Sequence, residues 1–196
     1  MVLASGNADK LRELTALIAP LQFEIVPQSA LGVVSADEPH LTFVENALAK
    51  ARHATVVTGL PALADDSGLC VDALNGAPGV RSARFAASSD QPADDERNNA
   101  ELLRRLAGVE NRSAHFTCVL AAVRTTDDPE PLIVDARWHG EILNAPRGSN
   151  GFGYDPLFFV RDLGKTAAEL DPKHKNRISH RGLAFAALAQ KLADWR

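Results

Sequence analysis

The chain is poor in cysteine, carries no excess of positive charge and contains no long apolar run. Its two cysteines, Cys70 and Cys118, lie inside apolar stretches that read as strands, and neither has a metal-type spacing. Each is read as a buried thiol, which argues against a disulfide framework or a redox pair. No run of residues approaches the length of a membrane span, and the start lacks the basic residues of a secretion signal. The expectation is a cytoplasmic protein with no membrane contact. A formal net charge of −4 leaves no broad basic face for a nucleic-acid polymer. It does not exclude a small phosphorylated ligand, which needs only a few well-placed cations. The glycine patterns of a Walker loop and of a dinucleotide fingerprint are absent as well.

What is present is the composition of an ordinary globular protein. With 196 residues, 45% of them hydrophobic, the chain can bury one substantial core, or two lobes sharing one. The strand-like opening Met1-Val2-Leu3-Ala4 leads through Ser5-Gly6-Asn7 into a helix with Leu11, Leu14 and Ile18 on one face, ended by Pro20. Phe23 to Val26 reads as a second strand. Thr42-Phe43-Val44-Glu45 matches a capping box and starts a helix that runs to about Gly59. Leu60 to Ala64 reads as a short buried strand. Asn75 to Asp90 is expected to be loop, and Pro92 to Leu106 a helix with an acidic first turn. His115 to Arg124 and Leu132 to Ile142 read as a hairpin around Thr126-Asp127-Asp128-Pro129. Ala145 to Tyr154 is loop-like, and Ile178 to Trp195 is read as one helix. The order suggests a mixed sheet covered by helices, with the hairpin as a second lobe. There is no repeat and no linker, so residues 1–196 are read as a single domain.

The feature that points most directly to chemistry is Asp65-Asp66-Ser67-Gly68, at the end of the Leu60 to Ala64 run. Gly68 is expected to turn the chain sharply after it. Two carboxylates held about 4 Å apart at an effective dielectric near 20 repel by roughly 4 kcal/mol. A cation or a proton removes that cost, so the pair suggests a divalent metal site or a carboxylate tuned for proton transfer. A solvated turn in which Asp and Ser cap the next segment fits the same residues. Asp37 and Glu38 form a second acidic pair, which would complete a Mg²⁺ site if folding brought it to the first and is otherwise plain surface charge.

Three further segments have a chemical reading beside an ordinary one. Ser5 through Lys10, with Gly6, Asn7, Ala8 and Asp9 between them, join a strand to a helix N-terminus, where backbone N–H groups and the helix dipole favour an anion. The plain alternative makes Asn7 an N-cap and Lys10 a solvated lysine. In Gly151-Phe152-Gly153-Tyr154-Asp155-Pro156, aromatics alternating with glycines offer stacking surfaces for a nucleobase, or else pack Phe152 and Tyr154 into the core. Lys173, Lys175, Arg177, His180 and Arg181 gather positive charge before the last helix, either as a solvated face or as convergent donors. Glu45 and Lys50 are read as helix-capping and helix-face residues.

Taken in order, five stretches resemble the inosine triphosphate pyrophosphatase family over nearly the whole chain. They are Ser5-Gly6-Asn7 with Lys10, then Glu38 with Thr42 to Ala47, Ala64 to Gly68, Gly151 to Pro156, and Ile178 to Arg181. The resemblance implies hydrolysis of non-standard purine nucleoside triphosphates to the monophosphate and pyrophosphate, with Mg²⁺. It implies a two-lobed α/β fold with a long mixed sheet, a nucleotide cleft between the lobes, and a homodimer. Residue by residue, it implies Asp66 as general base and metal contact, and Glu38 with Asp37 or Asp65 as further metal ligands. Ser5 through Lys10 would bind the triphosphate and Ser67 would touch substrate. Phe152, Gly153, Tyr154 and Asp155 would form the base pocket, completed by Lys175, His180 and Arg181. Two departures stand out: His40 replaces a common glycine, and the chain starts a little short, which trims the first strand. A Maf-type pyrophosphatase is the nearest rival, although its arginine pair is missing. A non-catalytic nucleotide sensor is the alternative from another class, and it has no need of these acids.

Overall fold

The computed structural model describes residues 1–18, 24–88 and 94–192, with Gln91 and Trp195. The stop at Pro20, the strand start at Phe23 and the helix start at Pro92 fall outside those residues. Among the described residues, seven strands form one sheet in the order β2-β1-β3-β4-β5-β6-β7. These are β1 (Val2–Ala4), β2 (Val26–Pro27), β3 (Ala62–Val71), β4 (Ser113–Val123), β5 (Leu132–Ile142), β6 (Phe158–Val160) and β7 (Lys165–Thr166). β1 runs parallel to β2 and β3, whereas β5, β6 and β7 pair antiparallel, so the sheet is mixed as expected. The helices are α1 (Ala8–Ile18), α2 (Phe43–Thr58), α3 (Asp95–Arg105), α4 (Pro172–Ile178) and α5 (His180–Leu192). None of the described helices is long and apolar enough to cross a membrane.

The helix ends follow from local chemistry. Asn7 Oδ1 accepts the N–H groups of Asp9 and Lys10, at 2.9 and 3.0 Å, which satisfies two orphan donors at the start of α1. Thr42 Oγ1 accepts the Glu45 N–H at 3.3 Å, and Gly59, at φ +68°, closes α2 with its N–H on the Thr55 carbonyl. The expected final helix is α5, which starts at His180, and a further helix, α4, precedes it. Asp171 caps Lys173 and His174 ahead of Pro172, and Ser179 (ψ 165°) leaves the helical region between Ile178 and His180. In the expected loop after Asn75, Gly79–Arg84 winds as a 3₁₀ helix.

The largest departure concerns β3. It does not end at the acids; it continues through Asp65, Asp66, Ser67 and Gly68 to Val71. Gly68 is no turn. A Cβ there would overlap the Gly79 carbonyl oxygen and Ser82 Oγ, so glycine admits the 3₁₀ segment against the strand. Ser82 Oγ accepts the Leu69 N–H at 2.9 Å.

The chain divides into two compact units, 1–66 with 118–136 and 181–196, and 67–117 with 137–180. The chain passes from one to the other within β3, β4 and β5 and at the start of α5. The hairpin β4–β5 is therefore not a lobe of its own, since each strand contributes to both units. In the first unit, Leu3, Leu14, Leu63, Leu120 and Leu188 are fully buried in one apolar cluster. A second cluster sets Ala51 and Ala54 of α2 against Val2, Ala62 and Ala64. Small residues on both sides let α2 lie close to the strands. In the second unit, Leu69, Leu102, Leu106, Leu157 and Phe158 form the core with Trp138 and Tyr154. Burying each such side chain contributes about 1.5–3 kcal/mol.

Candidate active site

In the first unit, the register that sets Ala4 opposite Ala64 brings Ser5 and Asp65 out of adjacent strands. There a cavity of about 280 Å³ is lined by Ser5, Gly6, Asn7 and Lys10, by Glu38 and Lys50, and by Asp65. It opens on the N-terminus of α1, where the helix dipole favours an anion. A Cβ at Gly6 would meet Ser35 Oγ, so any larger residue there has to turn that hydroxyl aside. Ala8 and Asp9 form the first turn of α1, and the Asp9 carboxylate pairs with Arg12. Lys10 is not solvated: its Nζ lies 2.8 Å from Asp65 Oδ1.

Because β3 is extended through the acids, consecutive side chains point to opposite faces. Asp65 and Asp66 therefore do not crowd each other, and the repulsion expected of a turn is relieved by separate sets of partners. Asp65, with no exposed side-chain surface, meets Lys10 at 2.8 Å, Arg181 Nε at 3.7 Å and the Cys118 thiol, which donates at 3.2 Å. Burial pushes its carboxyl up, but Lys10, Arg181 and Lys50 outweigh burial and hold it well below the usual carboxylate range. Arg181 also binds Glu13 at 2.8 Å, so a buried ion network ties α1 and α5 to the strand.

Asp66 faces α2. Its Oδ1 accepts from Lys50 Nζ at 2.8 Å, and its Oδ2 receives a long contact of 3.4 Å from the Asn46 amide. The same Lys50 nitrogen donates to Glu38 Oε1 at 2.9 Å. Burial raises the Asp66 carboxyl above its usual range in spite of Lys50 and Lys10. Burial also pulls Lys50 down, yet Asp66, Asp65 and Glu38 outweigh it and its ammonium is strengthened. Asn46 bonds both the N–H and the carbonyl of His40, at 3.1 and 3.3 Å, which pins the loop carrying Glu38. His40 itself is exposed, so its side chain does not fill the site.

A four-acid cation cage is not formed. Among the described residues, no group of three or more His, Cys, Asp or Glu is gathered as a metal cluster. Asp37 is exposed, and Asp65 is taken up by its cations. Glu38 and Asp66 do fit Mg²⁺, which takes one or two carboxylates and completes its shell with water and phosphate. Their convergence on one ammonium marks a position that already stabilises positive charge.

In the second unit, Ser67 is half-buried on β3. Gly151 and Gly153 sit at φ +76° and +61°, which folds the Gly151–Asp155 loop tightly. Asp155 Oδ2 accepts the Phe152 N–H at 3.0 Å and the buried Lys175 ammonium at 2.5 Å. The Lys175 nitrogen also stands 5.2 Å from the centre of the Phe152 ring. Tyr154 points into the core, and its hydroxyl donates to the Ser82 carbonyl at 2.9 Å. His180 is buried and stacked on Phe116, with centroids 4.8 Å apart. Lys173 and Arg177 are exposed.

Lys50 is the residue that sequence reasoning missed, since a lysine on a helix reads as solvated. Its place four residues after Asn46 is the signal that could have found it, because i and i+4 share a helix face. Gln28 and Ser35 also line the cavity, with Gln28 Nε2 donating to Ser35 Oγ at 3.0 Å, and nothing in their spacing announced it.

Residues 1–191 match the Ham1 family. A dITP/XTP pyrophosphatase of Aromatoleum aromaticum is 63% identical over 193 residues, which is 98% of this chain and 96% of that protein. One from Burkholderia pseudomallei is 61% identical over 196 residues, covering 100% of this chain and 94% of that protein. A solved HAM1 protein from Coxiella burnetii superposes with a TM-score of 0.90 at 49% identity, covering 98% of each chain. With the cradle, the acids and the glycine–aromatic loop in place, the chain belongs to the Ham1 family.

Proposed function

We propose that the protein hydrolyses the triphosphates of deaminated purines, dITP, ITP, XTP and dXTP, to the monophosphate and pyrophosphate, and so keeps them out of DNA and RNA. The observation that carries the mechanism is Lys50, whose one ammonium binds both Asp66 and Glu38. The polyphosphate lies against the Ser5-Gly6-Asn7 turn at the positive end of α1 and on Lys10. Asp65 holds Lys10 and Arg181 in place. Asp66 takes the proton of the attacking water as that water adds to the α-phosphorus, and pyrophosphate leaves as one anion. Such a reaction depends mainly on positioning and on neutralising developing charge. Glu38 and Asp66 would hold Mg²⁺, which when bound supplies positive charge beside the phosphates. Lys50 keeps both carboxylates aimed before substrate arrives.

Phe152 supplies a face for the purine, and Lys175 a cation fixed by Asp155. Donors aimed at a 6-oxo group would leave the adenine amine facing another donor, and sites of that kind discriminate by about 10⁴–10⁵. His180 and Arg181 are the candidates for that contact. The reading includes a homodimer, which the sequence resemblance implies, and a cytoplasmic location, which rests on composition.

Pyrophosphate release with Mg²⁺ tests the reading, comparing dITP, ITP and XTP with ATP, GTP and the standard deoxynucleotides. A strong bias to the deaminated purines is expected. Equal rates on all would keep the chemistry and remove the specificity. A repeat without divalent cation tests the metal, and sizing by light scattering tests the dimer.

A further inference from the structure

Within the loop Gly151–Asp155, both backbone polar groups of Gly153 are held from outside. The Gly153 N–H donates to Asp95 Oδ2 at 2.6 Å, and the Gly153 carbonyl accepts from Asn99 Nδ2 at 2.8 Å. Asp95 and Asn99 are i and i+4 on α3, so one helix face presents an acceptor and a donor to the two polar groups of a single residue. Asn99 Nδ2 also donates to the Asp95 carbonyl at 2.8 Å, which fixes the direction of its amide. The neighbouring Asn98 serves a different segment, bonding Ala83 and Ala86.

We infer that Asp95 and Asn99 are positioning residues that set the Phe152 face for the purine through Gly153, a role that rests on the assignment of this loop to the nucleobase. Gly153 sits at φ +61° with open space where a Cβ would be, so its own sterics do not hold the loop. The backbone before it is fixed from within, by Asp155 on the Phe152 N–H. After Phe152, its carbonyl accepts the Asp155 N–H at 3.3 Å and α3 holds both polar groups of Gly153. Losing the Asp95 contact loosens the Phe152–Gly153 peptide, and losing the Asn99 contact loosens the Gly153–Tyr154 peptide after it, while the Asp155–Lys175 pair stays in place. The cost then falls on the base and leaves the polyphosphate untouched.

The experiment measures Asn99→Ala and Asp95→Ala with dITP as substrate and with tripolyphosphate, which has no base, as a competitive inhibitor. Asn99→Asp, similar in volume but lacking the donor, is the second variant should Asn99→Ala fold poorly. The expected result is a KM for dITP raised about three- to tenfold per lost hydrogen bond. The inhibition constant of tripolyphosphate should stay as in wild type, and kcat should stay within about twofold. An unchanged KM, or a KM and an inhibition constant that rise together, would overturn the inference while wild type still prefers dITP. Wild-type protein that releases no pyrophosphate from dITP would instead overturn the purine reading, and the inference with it.

Discussion

Lys50 Nζ lies 2.8 Å from Asp66 Oδ1 and reaches Glu38 with its remaining donors, in a setting where its side chain is almost wholly enclosed. A lysine so placed is both a structural counter-ion and the group that orients the proposed base. Lys50→Met keeps the length of the side chain and removes the charge, leaving Asp66 buried without its ammonium. The expected cost is about 3–5 kcal/mol of stability, read as a lower midpoint in urea. Turnover should fall by about a hundredfold or more. A destabilised variant with normal kcat would limit Lys50 to a structural role.

Asp66→Asn keeps shape and one acceptor oxygen but takes no proton from water. Turnover should drop by about 10²–10⁴, while dITP binding by calorimetry changes little. Hydrolysis at the wild-type rate would remove Asp66 from the mechanism.

Gly68→Ala is the sharpest test of the strand that replaces the expected turn. The new methyl group meets the Gly79 carbonyl and Ser82 Oγ and must disturb the Leu69–Ser82 hydrogen bond. Overpacking of that kind costs about 1–3 kcal/mol. Gly59→Ala, in open space at φ +68°, should cost about 1–2 kcal/mol from the left-handed backbone alone. Equal midpoints in denaturant for Gly68→Ala and wild type would contradict the packing described.

The turn between β4 and β5 has its own titration. Asp128 accepts from the Arg124 side chain, from the Arg124 N–H and from the Glu130 N–H, and Arg124 is the leading cause that holds its carboxyl below the usual range. A depressed carboxylate contributes stability that is complete above its unfolded pKa, about 3.9, and is lost as pH falls through the folded value. Asp128→Asn should therefore melt below wild type at pH 7, and the gap should narrow as pH drops under about 4. A gap independent of pH would contradict the assignment.

Much of this was legible in the residues. The Asn7 cap, the Thr42 start and Gly59 stop of α2, and the two strands of the hairpin follow local rules of capping and alternation. The five stretches of the site could be placed by kind, though not by contact. The strand through Asp65 to Gly68 was not legible, because Asp-Asp-Ser-Gly has the composition of a turn. Lys10, Arg181 and Lys50, all distant in sequence, are the charges that make its burial tolerable. Helix α4 was not legible either, because Lys173 to Arg177 reads as a run of charge rather than as a helix of its own. Tyr154 shows the opposite case: its aromatic–glycine setting suggests a ligand face, and long-range packing takes the ring into the core.

The alternation of Asp65 and Asp66 makes the cations on either side a register key. A deletion of one residue just ahead of the pair would turn each carboxylate towards the other's partners, keeping every charge yet dissolving every match. The pairing therefore depends on the count of residues between Ala62 and Asp66 as much as on which residues stand there.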